Sequence, residues 1–308
     1  MGLTNKDINS LYLTLYNRAP EKEGQQYWLK EANAKGMSIA DTANAMLDTQ
    51  VSKDFFKGKD SSIDFIDHIY KNLLGKDKTV DPEGVAFWAS HIDNGMSKGE
   101  VVVNMLDAAE NQIFAYPAAK KAQQLYHNKL KTAEWTSKVS TGVPVIDKDG
   151  NPLPINEQIK GFVAIGQNVT SDMNVLEMIG MVALMSSMND FQHDFIDNAL
   201  IHIKNLFPEI NQEKAHNVLE LGRVGPIDSN KDGVYEVSPE EITSMIKEQA
   251  KGAPLLTDVW NSIIGSPQKV TNLFGYENEN PDTNSNDTNI KLSGVLTNNT
   301  DDGFALVG

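Results

Sequence analysis

One pattern occurs twice in the first third of the chain, and it limits the possible folds more than any other feature of the 308 residues. The first copy runs Tyr12, Asn17-Arg18-Ala19-Pro20, Gly24, Tyr27-Trp28, Gly36-Met37-Ser38 and Met46-Leu47-Asp48. The second runs Tyr70, Gly75-Lys76-Asp77, Gly84, Phe87-Trp88, Gly95-Met96-Ser97 and Met105-Leu106-Asp107. The offset is 58 at Tyr12/Tyr70, 60 at Gly24/Gly84 and Trp28/Trp88, and 59 from Gly36/Gly95 onward. Two stretches that align at a nearly constant offset read as two copies of one supersecondary unit.

Within each copy the apolar spacing is helical. Ile8, Leu11, Tyr12 and Leu15 make one stripe, with Asp7 or Asn9 as the expected cap and Arg18-Ala19-Pro20 as the stop. Glu21 to Ala34 is a second helix with Tyr27 and Trp28 near its middle, and Gly36 suits its C-terminal left-handed position. Ser38 followed by Asp41 starts a third helix with a capping-box pattern. In the second copy, Phe65, Ile66, Ile69, Tyr70, Leu73 and Leu74 form the stripe. Asp81-Pro82 opens the Trp88 helix, and Ser97 with Glu100 repeats the capping box. A longer helix is expected from Pro117 to Trp135. The whole reads as an all-α fold.

The turn-rich stretch Thr136 to Pro154 marks a boundary between a tandem-repeat domain, 1–135, and a second helical domain, 136–276. Helices are expected there at about 156–168, 172–188, 190–206, 211–222, 238–250 and 254–264. From Glu277 the chain is dominated by Asn, Asp, Thr and Ser, so 277–308 reads as a disordered polar tail that ends in an apolar Phe304-Ala305-Leu306-Val307.

Composition narrows the partners. A net charge of −15 argues against nucleic acid, which needs a basic face, and favours divalent cations. The absence of cysteine excludes disulfides, thiolate metal sites and a thiol nucleophile. No run of 18 apolar residues exists, so no membrane span is expected, and Met1 to Asp7 does not read as a signal peptide.

The twin motifs resemble a bacterial family, the domain of unknown function 4214, over about residues 5–115. The second copy is the nearer match, through Leu73-Leu74-Gly75-Lys76, Asp81-Pro82-Glu83-Gly84 and Phe87-Trp88. The first copy has Leu15-Tyr16-Asn17-Arg18 without the glycine, and Glu21 in place of the aspartate. The opening also resembles the N-terminal region of Campylobacter-type surface-layer proteins. That resemblance implies a secreted, cell-surface protein held to lipopolysaccharide or another surface glycan. It also implies a type I exporter that reads an uncleaved C-terminal signal, and a capacity for self-association.

One loop has an explicit chemical rationale. Asp228, Asn230 and Asp232 with Gly233 are the entry half of an EF-hand, where alternate oxygens converge on a hard cation at about 2.3–2.6 Å. Val234 would add a carbonyl and Glu236 a mid-loop oxygen. Pro239 stands where the bidentate Glu belongs, so Glu241 (or Glu240) closes the site in a longer loop. An Asx-rich turn before a helix is the alternative. Asp147-Lys148-Asp149-Gly150 is a candidate partner loop, equally explained as a hairpin turn.

Elsewhere the chemical signals are weak. No His-Glu-x-x-His, phosphate loop or Gly-x-Ser-x-Gly elbow occurs, and His193 with Asp190, Asp194 and Asp197 reads as a solvated helix face. Trp28 and Trp88 read as core residues at matched positions, with sugar stacking as the other reading. Polar faces at Lys30 and Asn33, and at His91, Asp93 and Asn94, are where glycan contacts are expected. The sequence thus suggests a secreted calcium-binding surface protein attached through its N-terminal repeats. An enzyme acting on surface polymers and a structural or export adaptor remain as alternatives.

Overall fold

The computed structural model describes residues 2–111, 117–139, 166, 169–180, 202, 203, 205, 207–219, 296–299 and 303–306. The chain divides into two compact units. The first comprises Met1–Glu134, Thr170–Asp172 and Thr288–Gly308, and the second Trp135–Val169 and Met173–Asp287.

Unit 1 is built from α1 (Asn5–Tyr16), α2 (Lys22–Lys35), α3 (Ile39–Asp48), α4 (Gln50–Phe55), α5 (Ser62–Leu74), α6 (Pro82–Asp93), α7 (Lys98–Asn111) and α8 (Pro117–Val139), the last of which belongs to this unit as far as Glu134. The helices form two triples in the same order, α1-α2-α3 and α5-α6-α7. Within them α1 packs on α2 and α5 on α6. Between them α1 packs on α5 and α3 on α7. Ile8, Leu11 and Leu15 of α1, and Phe65, Ile66 and Ile69 of α5, are fully buried. Each such side chain contributes about 2 kcal/mol by leaving water.

The helix starts follow local chemistry. Ser38 accepts from the Asp41 amide while the Asp41 carboxylate accepts from the Ser38 amide at 3.0 Å, the reciprocal box expected. Ser97 and Glu100 do the same for α7. Asp81 caps α6 by accepting from the Gly84 amide at 2.9 Å, with Pro82 in the first turn. At α1 the expectation is corrected. The cap is Thr4, and Asp7 sits three residues in as its reciprocal partner. The helix therefore starts earlier than a cap at Asp7 or Asn9 would place it. Asn17, not Pro20, ends α1, in the left-handed conformation at φ 50°.

The α3–α7 crossing is close. A Cβ at Gly99 would collide with the Ala40 carbonyl, and Asn44 accepts from the Gly99 amide at 2.8 Å. Asn44 of one triple thus satisfies a first-turn donor of α7 in the other, a group that would otherwise be orphaned in a packed crossing.

The C-terminal end of α1 is likewise buried and closed by other helices. Among its last carbonyls, that of Leu13 accepts from the Asn17 amide. Those of Thr14 and Leu15 accept from Asn72 Nδ2 and His68 Nε2 of α5, each at 2.9 Å. Lys129 of α8 then donates to Asn17 Oδ1 and the Asn72 carbonyl, both at 2.8 Å. Its ammonium therefore sits near the C-terminal ends of α1 and α5, where the helix dipoles favour a cation.

In unit 2, residues 175–180 are helical, capped by Asn174, which accepts from the Glu177 amide at 3.0 Å. Helix α9 (Gln212–Leu219) is capped by Asn211, which accepts from the Lys214 amide at 3.0 Å. Both helices fall within stretches that the sequence marks as helical. Met178, Ile179, Ile203, Phe207 and Ala215 are buried. Within 277–308, the described stretches are two four-residue strands, β1 (Leu296–Asn299) and β2 (Gly303–Leu306), paired antiparallel with Leu296 opposite Leu306. Among the described residues no helix is long and apolar enough to cross a membrane.

Candidate functional site

The two triples place the same three residue types together where α2 and α6 begin. In the second, Tyr70 Oη donates to Asp81 Oδ2 at 3.1 Å, and a Cβ on Gly84 would strike the tyrosine hydroxyl and both Asp81 oxygens. In the first, a Cβ on Gly24 would strike the Tyr12 hydroxyl and Glu21 Oε1. Glycine recurs at this place because the tyrosine and carboxylate occupy the volume a side chain needs. Burial pushes the Tyr70 phenol up to about 12, reinforced by the Asp81 charge. Burial likewise raises Tyr12 well above the ordinary phenol value, with Glu21 adding to it.

The first triple adds a charge pair. Arg18, 0% exposed, bonds to Glu21 and to the Ala19 carbonyl at 3.1 Å, and its guanidinium lies 4.7 Å from the Tyr12 ring centroid. Burial opposes the Arg18 charge, while Glu21 and Tyr12 favour it and leave it raised. Gln25 donates to Asn9 at 2.6 Å beside this group. The sequence signals the Arg18-Ala19-Pro20 turn but not the burial of its charge, which depends on α2 folding over it.

The aromatic pairs differ most. Trp28 is 4% exposed and belongs to the core, with the Tyr12 hydroxyl beside its indole N–H and Tyr27 at 5.4 Å between ring centroids. Trp88, expected in the core as well, is only partly buried, and Phe87 beside it is 57% exposed. Phe87, Trp88 and His91 form one cluster. Phe87 meets Trp88 edge-on at 5.2 Å and His91 at 4.8 Å, while the Trp88 and His91 rings lie 5.7 Å apart at 36°. His91 Nδ1 donates to the Phe87 carbonyl at 2.9 Å, which fixes the tautomer and leaves Nε2 as a lone-pair acceptor. Ser90, bonded to the Phe87 carbonyl, is exposed beside the rings, and Asp93 and Asn94 are exposed further along the same helix end. Rings with polar groups at their rim suit a ligand with both apolar and hydrogen-bonding faces.

The polar faces expected to contact glycan are used differently. Asn33 is engaged with the N-terminal segment, accepting from the Leu3 amide at 2.7 Å and donating to its carbonyl at 3.2 Å. Asp93 accepts from Ser62 at 2.6 Å, tying α6 to the start of α5. Asn94 ends α6 and Lys30 is exposed. His91 alone of these stands in the aromatic cluster.

The calcium residues Asp228, Asn230, Asp232, Val234, Glu236 and Glu241, and the second loop at 147–150, lie outside the described residues. Among the described residues no group of three or more His, Asp or Glu side chains is placed to hold a metal.

Residues 49–114 match the model of a domain of unknown function, DUF4214. The match covers 66 of the 308 residues (49 to 114 inclusive) and takes in α4 to α7, so it characterises the second triple and the short helix before it. No curated protein and no solved structure matches the chain significantly.

Proposed function

We propose that unit 1 is a carbohydrate-binding module that attaches an exported protein to a bacterial surface glycan, with the Phe87–Trp88–His91 face of α6 as the contact. The observation that carries this reading is the contrast between matched aromatic pairs. Trp28 is enclosed, while Phe87 stays 57% exposed beside a partly open Trp88. An exposed Phe87 beside a partly open Trp88 costs solvation and gives the core little, so a role at the surface is the economical account of it. Aromatic faces take the C–H side of a sugar ring, and a rim of acceptors and hydroxyls takes its O–H groups. The chain's net charge of −15 disfavours a polyanion docking without cations, which points to neutral sugar units or to cation-bridged lipopolysaccharide.

The same reading takes the two triples as two copies of one unit, of which the first became closed scaffold and the second kept the open face. It places calcium in the 228–241 loop, filled outside the cell where the cation is about millimolar, with export through a type I exporter and self-association at the surface as its context.

The test is binding of the full-length protein to lipopolysaccharide-positive and lipopolysaccharide-negative cells. Binding that depends on the glycan, and that falls at least tenfold in Phe87→Ala and Trp88→Ala, supports the module. Equal binding to both cell types, or variants that bind like the parent, refutes it. For calcium, titration calorimetry at about millimolar cation and melting with chelator decide. No heat and an unchanged melting temperature remove that part of the reading.

A further inference from the structure

We propose that the joint at the C-terminal end of α1 is an acid-released latch: protonating His68 expels its ring from against the Phe55–Phe56 pair, and α1, α4 and α5 part there before the rest of unit 1 unfolds. This stands apart from the glycan reading and does not depend on it.

The latch is a single imidazole serving two roles. Its Nε2 stands 2.9 Å from both the Leu15 carbonyl and Asn72 Nδ2; with Nε2–H donating to the carbonyl, His68 shares with Asn72 the closing of an α1 carbonyl that has no helical partner. Its ring packs edge-on against Phe55 at 5.5 Å and Phe56 at 5.1 Å, and so joins α5 to the end of α4. Phe56 in turn meets Phe65 at 5.5 Å, and both phenylalanines meet Tyr16 of α1. A second proton would go to Nδ1, which has no hydrogen-bond partner among the described residues.

The surrounding charges do not welcome that proton. From the segment after α4, Lys59 stands over the Phe55 ring at 5.5 Å. From α5 itself, Lys71 opposes the charge. From α8, Lys129 is bonded to the Asn72 carbonyl one turn along α5. α1 contributes only the Leu15 carbonyl. Asp67 is the one carboxylate that favours the imidazolium, and it already accepts from Lys78. Burial, the largest influence, with Lys59 and Lys71, holds His68 down at about 4 against the Leu15 hydrogen bond and the Asp67 charge.

The sign follows from proton linkage. Between about 6.5 and about 4 the unfolded chain binds a proton at this residue that the closed latch does not. The stabilisation is therefore complete above about pH 6.5 and is lost as pH falls toward 4, a loss of roughly 100-fold in the closed-to-open ratio.

The experiment measures amide hydrogen exchange and thermal melting of the full-length protein at several pH values from about 7 down to about 4, beside His68→Gln. Glutamine keeps a donor for the Leu15 carbonyl and does not titrate. The expected result is accelerated exchange in acid at residues 13–17 and 50–56 ahead of α3 and α7 in the parent, and a flattened response in H68Q. Uniform acceleration across all helices, or an H68Q profile as steep as the parent's, overturns the latch. Should H68Q not fold, the NMR titration of His68 in the parent decides alone. A midpoint near 4 supports the latch, and one near 6.5 removes it.

Discussion

Tyr12, Glu21 and Gly24 in the first triple meet as Tyr70, Asp81 and Gly84 do in the second, yet the two regions face opposite ways in chemical terms. The first turns its polar groups inward: Arg18 pairs with Glu21 against the Tyr12 ring, and Trp28 beside Tyr12 is enclosed. The second has Lys78 at the matching turn, pairing with Asp64 at 3.0 Å in solvent, and it leaves Phe87 outside. The same helix order therefore yields a sealed block and an open face. The turn between the first two helices of each triple decides which. A buried cation has to be covered and a solvated one does not.

The strongest break of this comparison is at that turn. Arg18→Ala leaves the Glu21 carboxylate buried without its partner and should cost about 4 kcal/mol in chemical unfolding. Lys78→Ala removes an exposed pair and should cost under about 1 kcal/mol. Similar losses at the two sites would mean that the charge pair does not distinguish the triples.

Next in size are the tryptophans. Trp28→Ala should cost about 3–4 kcal/mol, as expected for a large side chain lost from a core. Trp88→Ala should cost about 1 kcal/mol, and its effect should appear in glycan binding instead. A Trp88 variant as unstable as the Trp28 variant would show that the open face is structural.

These differences also show what a sequence can carry. The helix order, the Ser38/Asp41 and Ser97/Glu100 boxes and the Asp81-Pro82 start are local, set by residues three apart, and they are readable without the fold. Thr4 was hidden because Asp7 looks like a cap by itself, and the reciprocal bond that makes it the third residue needs the backbone turn. His68 and Lys129 were invisible as buried groups because their partners come from residues tens of positions away, and Arg18 because its burial depends on α2 folding over the turn. Trp28 and Trp88 are identical in motif, and exposure separates them only after the neighbouring helices are in place. The expected calcium loop is the opposite case: it rests on the sequence alone, and its residues lie outside those described.

Smaller still is the effect at the two glycines. Gly24→Ala drives a methyl into the Tyr12 hydroxyl and Glu21 inside a sealed cluster, and about 2–3 kcal/mol is expected. Gly84→Ala meets Tyr70 and Asp81 at the edge of the open triple, where the carboxylate is able to swing toward solvent, and about 1 kcal/mol is expected. Equal costs would indicate that the second cluster is as rigid as the first.

The smallest effect tests where the triples should not differ. Ser38 and Ser97 make the same reciprocal bonds at the starts of α3 and α7, each exposed on its carboxylate side, and hydrogen bonding holds Asp41 and Glu100 below the usual carboxylate range. Ser38→Ala and Ser97→Ala should therefore each cost about 1 kcal/mol, and by nearly the same amount. Ser97 also accepts from Asn44 Nδ2 at 3.2 Å across the α3–α7 crossing, so any excess at Ser97 measures that one added contact. An excess well above the worth of a single hydrogen bond, about 1 kcal/mol, would place part of the asymmetry in the crossing. Near-equality would confine it to the turns before α2 and α6 and to the aromatic residues those turns cover or leave open.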